Sequence, residues 1–380
     1  MKIAIVHDFL IQYGGAEKVV EVFNELFPDA TIFTPIYLQS KLPPVFKGMN
    51  IKTSFMQKFP FLDRHFKKYL TFYQKAIESF NLSSYDLVLS SSSSFAKGAI
   101  KGKNACHICY CYTPMRYAWD YRHYIEKEDF NKVIIKILPY IIKKLKKWDL
   151  ETVNRVDYYI AISNHIKDRI MKCYNRDSTV IYPPVNIKNF KISKKVENYF
   201  LIVSRLNAYK NIDLAINAFN ELGLSLKIAG TGPYKRILES MVKSKNIEFL
   251  GRLDNAELIE VYSKCRAYIF PGKEDFGITP LEAQASGRPV IAYAEGGALE
   301  TVVDGVTGLF FKENSRDNLI DTIKKFLRIE DSFNSNKIVE NASRFDVNIF
   351  KKNLVSFINQ KYKEYMTGNV SFNGKTAKNI

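Results

Sequence analysis

NYFLIVSRLNAYKNIDLAINAFNELGLSLKIAG, residues 198–230, reads as strand, helix, strand: an apolar run, an amphipathic stretch at helical spacing, then a second apolar run closed by glycine. The alternation continues. YKRILESMVKSK is helical, and IEFLG, AYIFPG, PVIAY and GLFF are short apolar runs ending in glycine or polar residues, with helical stretches between them. This is the pattern of a parallel sheet with helices on both faces. Working outward, the N-terminal half repeats it: KIAIVHDF, YDLVLSSS, HICYCYT and VDYYIAIS read as strands and AEKVVEVFNELF as a helix, while 41–80 gives no clear pattern.

VIYPPVNIKNFKISKKVE, 180–197, rich in proline and lysine, is the natural linker. The expected fold class is therefore α/β, with two Rossmann-like doubly wound parallel-sheet domains, 1–185 and 186–345, facing each other across a cleft. A final helix, 346–366, is expected to cross back to the first domain. The polar stretch 367–380 reads as a disordered tail. With 380 residues the chain suits two domains, each able to bury a core.

Basic residues exceed acidic ones by 56 − 39 = 17. Residues 1–190 carry 28 basic and 17 acidic residues against 28 and 22 for 191–380, so the first half holds most of the excess. Such a surface attracts an anion: nucleic acid, phospholipid or a phosphorylated substrate. The sharpest cluster, NKVIIKILPYIIKKLKKW at 131–148, has six lysines and an apolar stripe. It admits two readings, a helix adsorbed to an anionic membrane surface or an ordinary surface helix covering its domain. No run reaches the roughly 20 apolar residues of a spanning helix, and MKIAIVHDFL suits a first strand better than a signal peptide, so a cytoplasmic chain is expected. Five cysteines, Cys106, Cys109, Cys111, Cys173 and Cys265, read as reduced thiols, with the CxxC pair buried on a strand rather than holding zinc.

Three motifs carry chemistry. In YGGAEKVV, 13–20, Gly14 and Gly15 end the loop after the first strand and open a helix, either as a tight turn or as an approach for an anion to the helix N-terminus. In SRLNAYKN, 204–211, Arg205 and Lys210 follow the C-terminal end of a strand, where α/β sheets bind ligands, and two cations there suit a diphosphate. In PGKEDFGITPLEAQASGRPVIAY, 271–293, Glu274 and Glu282 are separated by a glycine-containing loop that turns into a helix. Thr279 as N-cap, Pro280 as first residue and Glu282 three after the cap would form a capping box, which gives Glu282 a structural reading.

These motifs, with Gly296 and Gly297 in AEGGALETVVDGVTGLFF, resemble the retaining family-4 glycosyltransferases, whose two-domain architecture is called GT-B. YTPMRYAWD (112–120) and NRVDYYIAIS (154–163) further resemble a subgroup that builds bacterial surface polysaccharides, often with mannose donors. The resemblance implies a donor site in which Gly14 and Gly15 approach the donor phosphates and Arg205 and Lys210 hold the diphosphate. Glu274 would bind hydroxyls of the transferred sugar, Glu282 would grip the ribose, and the amides of Phe276, Gly277, Ile278, Thr279 and Leu281 would cradle sugar and phosphate. The base would rest near Gly251 and Arg252. It implies no cofactor beyond the nucleotide-sugar substrate. Without an Asp-x-Asp element, no metal is expected. The subgroup usually has histidine where Tyr112 stands; a tyrosine donates a hydrogen bond but does not share a proton near neutral pH. Asp8, at the end of the first strand, and Arg116 are further candidates for acceptor or leaving-group contacts.

The expected function is transfer of a hexose, foremost mannose from GDP-mannose, to a lipid-linked glycan in O-antigen, capsule or exopolysaccharide synthesis, at the inner face of the plasma membrane. The alternatives are a UDP-sugar donor, or a basic nucleic-acid or partner-binding protein without transferase activity. No helix-turn-helix, zinc-finger or RNP-like pattern accompanies the charge, which disfavours nucleic acid.

Overall fold

The structure, a computed structural model, describes residues 1–120 and 132–368. Two compact units divide it: Met1–Pro184 together with the chain from Phe350, and Val185–Ile349. The boundary falls inside YPPV, where two prolines stop regular structure.

Unit 1 is built on seven strands, β1 (Ile3–His7), β2 (Thr31–Thr34), β3 (Ile51–Thr53), β4 (Leu87–Ser92), β5 (Cys106–Cys111), β6 (Tyr158–Ala161) and β7 (Ser178–Val180), in the order β3-β2-β1-β4-β5-β6-β7. Unit 2 has β8 (Phe200–Val203), β9 (Leu226–Ala229), β10 (Ile247–Gly251), β11 (Tyr268–Phe270), β12 (Val290–Tyr293) and β13 (Gly308–Phe311), in the order β10-β9-β8-β11-β12-β13. Every described pairing between them is parallel. The central strands are buried on both faces, as in IAIVH and CHICYC, which is why they read as continuous apolar runs. The α/β reading of the sequence, two Rossmann-like doubly wound parallel-sheet domains, therefore holds.

Among the helices, α1 (Gly15–Leu26), α2 (Lys132–Glu151), α3 (Ile212–Leu222), α4 (Asn255–Lys264), α5 (Ile278–Ala285) and α6 (Val347–Met366) matter below. On α2 the stripe Ile142, Leu145 and Trp148 is buried in the unit 1 core while Lys143, Lys144 and Lys147 face solvent. Over these residues the helix covers its domain, and its apolar face is not available to a lipid phase. On α6, Phe350 stacks on Phe23 with ring centroids 6.3 Å apart and Lys351 pairs with Glu25 at 2.6 Å. Thr367 and Gly368, expected to begin a disordered tail, still close turns on Lys363 and Tyr365; the remainder of that expected tail, 369–380, lies outside the described residues. The five cysteines are free thiols, and burial pushes Cys106 up to about 12. Among the described residues no helix is long and apolar enough to cross a membrane.

Candidate donor site

A doubly wound sheet opens a crevice where consecutive connections leave in opposite directions, at the carboxyl ends of the two strands concerned. In unit 2 that point lies between β8, which connects on toward β9, and β11, which connects on toward β12. The loops leaving these two strands carry Arg205 and Lys210 on one side and Glu274 on the other, and the Lys210 ammonium ion-pairs with the Glu274 carboxylate. Lys210 ends a tight turn, Ala208–Lys210, that Asn211 closes at φ 53, and its ammonium lies 5.0 Å from the centroid of the Tyr209 ring. Arg205 is exposed on the same loop. Gly251, at φ 70, ends β10 on the same edge of the sheet and accepts the Gly230 N–H at 2.6 Å; Arg252 follows it, exposed.

The loop bearing Glu274 is shaped by glycine. Gly297 donates to the Glu274 carbonyl at 2.9 Å, and Glu274 bridges to Gly296 as a short parallel pair. A Cβ on Gly297 would stand 2.2 Å from the Phe276 backbone, and one on Gly296, itself at φ 65, would stand 2.3 Å from the Glu274 carbonyl oxygen. Only two bare backbones in succession allow this approach.

The capping box expected at Thr279 is not formed. Helix α5 begins two residues earlier, at Ile278, behind Gly277 at φ 90, with no side-chain cap. Gly277 takes a conformation closed to other residues, so the helix starts as soon as the loop is anchored. Thr279 then sits inside the first turn, its hydroxyl 2.8 Å from that of Tyr268. Leu281 is buried, and Glu282, too far along the helix to cap it, takes the hydroxyl of buried Tyr262 at 3.0 Å instead. Burial pushes both phenols up, so they remain donors. What remains at the start of α5 is an end with no side-chain cap beside Lys210 and Glu274, the electrostatic setting that suits a phosphate.

Unit 1 repeats the topology, with its switch point between β1 and β4. There Asp8 is 2% exposed and its carboxylate is fully engaged: one oxygen accepts from the amides of Phe95 and Ala96 at 2.7 Å each, the other from the Ser93 and Ser94 amides and the Ser93 hydroxyl at 2.5–3.0 Å. Asp8 therefore fastens the loop after β4, a task that leaves its oxygens no capacity for a substrate. Gly14 caps α1, and its N–H goes to Glu17 at 2.8 Å. Of the glycine pair, Gly14 thus spends its amide inside the loop.

Tyr112, at the end of β5, is half-buried and donates to the Ala16 carbonyl in the first turn of α1 at 3.2 Å. It therefore accepts from Ser91 at 2.9 Å, whose hydroxyl in turn accepts from His7 Nδ1 at 3.0 Å. The other His7 nitrogen stands 3.9 Å from the Glu17 carboxylate. Burial pushes the Tyr112 phenol well up, so this hydroxyl is a strut. Arg116 opens a short helix, Arg116–Trp119, on the following loop. His7, Glu17 and Ser91 were not singled out by the sequence; Glu17, inside the GGAE motif, carried the one available signal.

Residues 13–189 match the family described as Glycosyltransferase Family 4, and residues 185–345 the family Glycosyl transferases group 1. An uncharacterised glycosyltransferase of Methanocaldococcus jannaschii is 29% identical over 212 residues, 55% of this chain and 60% of that protein. The O-antigen chain mannosyltransferase RfbU of Salmonella typhimurium is 36% identical over 151 residues, 37% of this chain and 43% of that protein. Alpha-1,3/1,6-mannosyltransferase ALG2 of Dictyostelium discoideum is 26% identical over 278 residues, 57% and 66% respectively. The chain thus spans between about two fifths and two thirds of the length of these relatives. The fold matches Anabaena HepE in complex with UDP, with a TM-score of 0.72 at 17% identity over 95% of this chain and 100% of that one. It also matches sucrose-phosphate synthase of Thermosynechococcus elongatus, at 0.73 and 15% identity over 96% and 100%. With two parallel α/β units, each switch point furnished as described, and both halves matched, the chain belongs to the family-4 glycosyltransferases of GT-B architecture.

Proposed function

We propose that the protein is a retaining hexosyltransferase that takes mannose from GDP-mannose and adds it to a lipid-linked oligosaccharide in bacterial surface polysaccharide synthesis. The observation that carries the reading is the Lys210–Glu274 pair between the ends of β8 and β11, beside the start of α5. The choice of mannose draws on the relatives, two of which are named as mannosyltransferases. The O-antigen relative supports the surface-polysaccharide setting. In this reading unit 2 holds the donor and unit 1 serves the acceptor at the cytoplasmic face of the membrane.

The chemistry suits those groups. The bond from the sugar's anomeric carbon to phosphate breaks, its electron pair leaves with the nucleoside diphosphate, and a bond forms to the acceptor oxygen, whose proton passes to the departing phosphate. Positive charge grows on the sugar and negative charge on the phosphate. Lys210, Arg205 and the α5 N-terminus stabilise the phosphate without reorganising, while Glu274 accepts from sugar hydroxyls and keeps Lys210 aimed. Glu282 takes the ribose. Because cations and amides do this work, the reaction is proposed to run without a metal.

Nucleotide release from a panel of GDP- and UDP-sugars, measured in EDTA with wild type and Glu274→Ala, tests the proposal. Release from GDP-mannose that disappears in the variant supports it. Release from a UDP-sugar alone would replace the donor, and no release or binding with any donor would sink the transferase reading.

A further inference from the structure

Residues 55–72, FMQKFPFLDRHFKKYLTF, pack as a chain of short helical turns on the unit 1 core. Phe59 is their centre: its ring meets Phe55, Tyr69 and Phe72 at centroid distances of 5.8, 4.9 and 5.2 Å. That cluster only half disappears into the protein, since Phe55 and Phe72 are each 42% exposed. Beside it Phe61 is 70% exposed and sits at φ 51. Left-handed backbone is costly for a residue with a side chain, and the exposed Phe61 ring recovers only an edge contact with His65, centroids 6.4 Å apart. Strain of this kind gathers where a side chain must be presented.

The sequence that carries the aromatic rim is basic. Between residues 41 and 72 stand Lys41, Lys47, Lys52, Lys58, Arg64, Lys67 and Lys68 against the single acid Asp63, a net +6 of the chain's +17. Val45, 47% exposed, adds an aliphatic surface. The same core is covered by α2, whose Tyr140 is 73% exposed next to exposed Lys143 and Lys144. Aromatic and aliphatic groups projecting from a basic surface need a partner with an apolar phase directly beneath anionic groups. Stacked bases would leave Val45 without a role.

We infer that the aromatic loop 55–72 is an interfacial anchor, with Phe61 inserting into an anionic lipid surface and the flanking lysines meeting its headgroups. This deepens the membrane-side reading of unit 1 and is independent of the donor chemistry.

Flotation of the full chain with vesicles of phosphatidylcholine alone, or containing phosphatidylglycerol, tests it. Phe61→Gly keeps the left-handed backbone and so folds, with an unchanged or higher melting temperature. It should lower affinity for phosphatidylglycerol vesicles about tenfold, the effect of withdrawing most of a phenylalanine from an apolar phase. Lys58→Ser and Lys68→Ser should each lower it about fivefold, and only on phosphatidylglycerol. Phe61→Trp should shift its emission to the blue on those vesicles. Nucleotide release from soluble donor, assayed without vesicles, should stay at wild type in all these variants, which separates this inference from the transferase reading. Failure of the wild type to bind phosphatidylglycerol vesicles overturns the inference. So does binding that Phe61→Gly leaves intact, loss confined to Lys143→Ser with Lys144→Ser, or a Phe61-dependent dimer or oligonucleotide complex in place of vesicle binding.

Discussion

Gly297→Ala tests whether the second glycine of the pair sets the shape of the Glu274 loop. The new Cβ would lie 2.2 Å from both the Cα and the carbonyl oxygen of Phe276. Carbons in contact rest about 3.5 Å apart or more, so the two backbones must separate by more than about 1 Å. Overpacking of this kind costs about 1–3 kcal/mol, and a displacement of about 1 Å at a reacting centre costs about 100-fold in rate. Gly305→Ala is the control: it lies at φ 73 with nothing within 4 Å of an added Cβ, so it carries backbone strain of about 1–2 kcal/mol and no steric push. Nucleotide release and melting temperature, measured on both variants, should separate. Gly297→Ala loses rate about 100-fold with a modest loss of stability, whereas Gly305→Ala melts earlier and turns over normally. A Gly297→Ala protein with wild-type turnover, or equal losses of rate in the two variants, would refute the assignment of loop shape to this contact.

Asp8→Asn should destabilise unit 1 by about 3 kcal/mol in denaturant unfolding, because an amide cannot accept at both positions and sets an N–H against loop amides; stability within error of wild type would return Asp8 to the list of substrate contacts. Tyr112→Phe should cost unit 1 about 1 kcal/mol in denaturant unfolding and leave turnover unchanged; a fall in kcat at unchanged KM would mean that the hydroxyl touches the sugar. His107 is buried between the Arg155 carbonyl and the Ser90 hydroxyl, and burial lowers it to about 3. The unfolded chain binds this proton below about pH 6.5 and the native one does not until about 3. Stability should therefore fall as pH drops through that window, by about 1.4 kcal/mol per unit at most. His107→Gln should flatten the dependence, and an unchanged slope would show that other groups govern it.

The strands of unit 2 were legible because each is a short apolar run, buried except in the edge strand β10, followed by a glycine or a charged loop, and all six stand where the sequence placed them. In unit 1, β2, β3 and β7 escaped: TIFT, IKT and STV are three or four residues long, with too few side chains to display a period. The stretch 41–80 resisted for another reason, since its apolar spacing serves short helical turns around Phe59. At the donor site the residues of Arg205, Lys210 and Glu274 were readable as charges near strand ends, but the capping box at Thr279 was a local pattern overruled from a distance. Gly296 and Gly297, some twenty residues on, fix the loop, and Gly277 starts the helix early. Asp8 read as a candidate for acceptor or leaving-group contacts for the same reason: its five partners lie 85–88 residues away.

That last separation has a consequence for synthesis. Strand β1 is central, paired to β2 on one side and to β4 on the other, and its terminal Asp8 is satisfied only when residues 93–96 arrive. At about 5–20 residues per second, the ribosome delivers them roughly 4 to 17 seconds after Asp8. Through that interval β1 waits with one apolar edge and a carboxylate unmatched, so unit 1 closes around this central strand as a late, long-range event, and nascent chains halted before Ala96 should be the ones that chaperones hold.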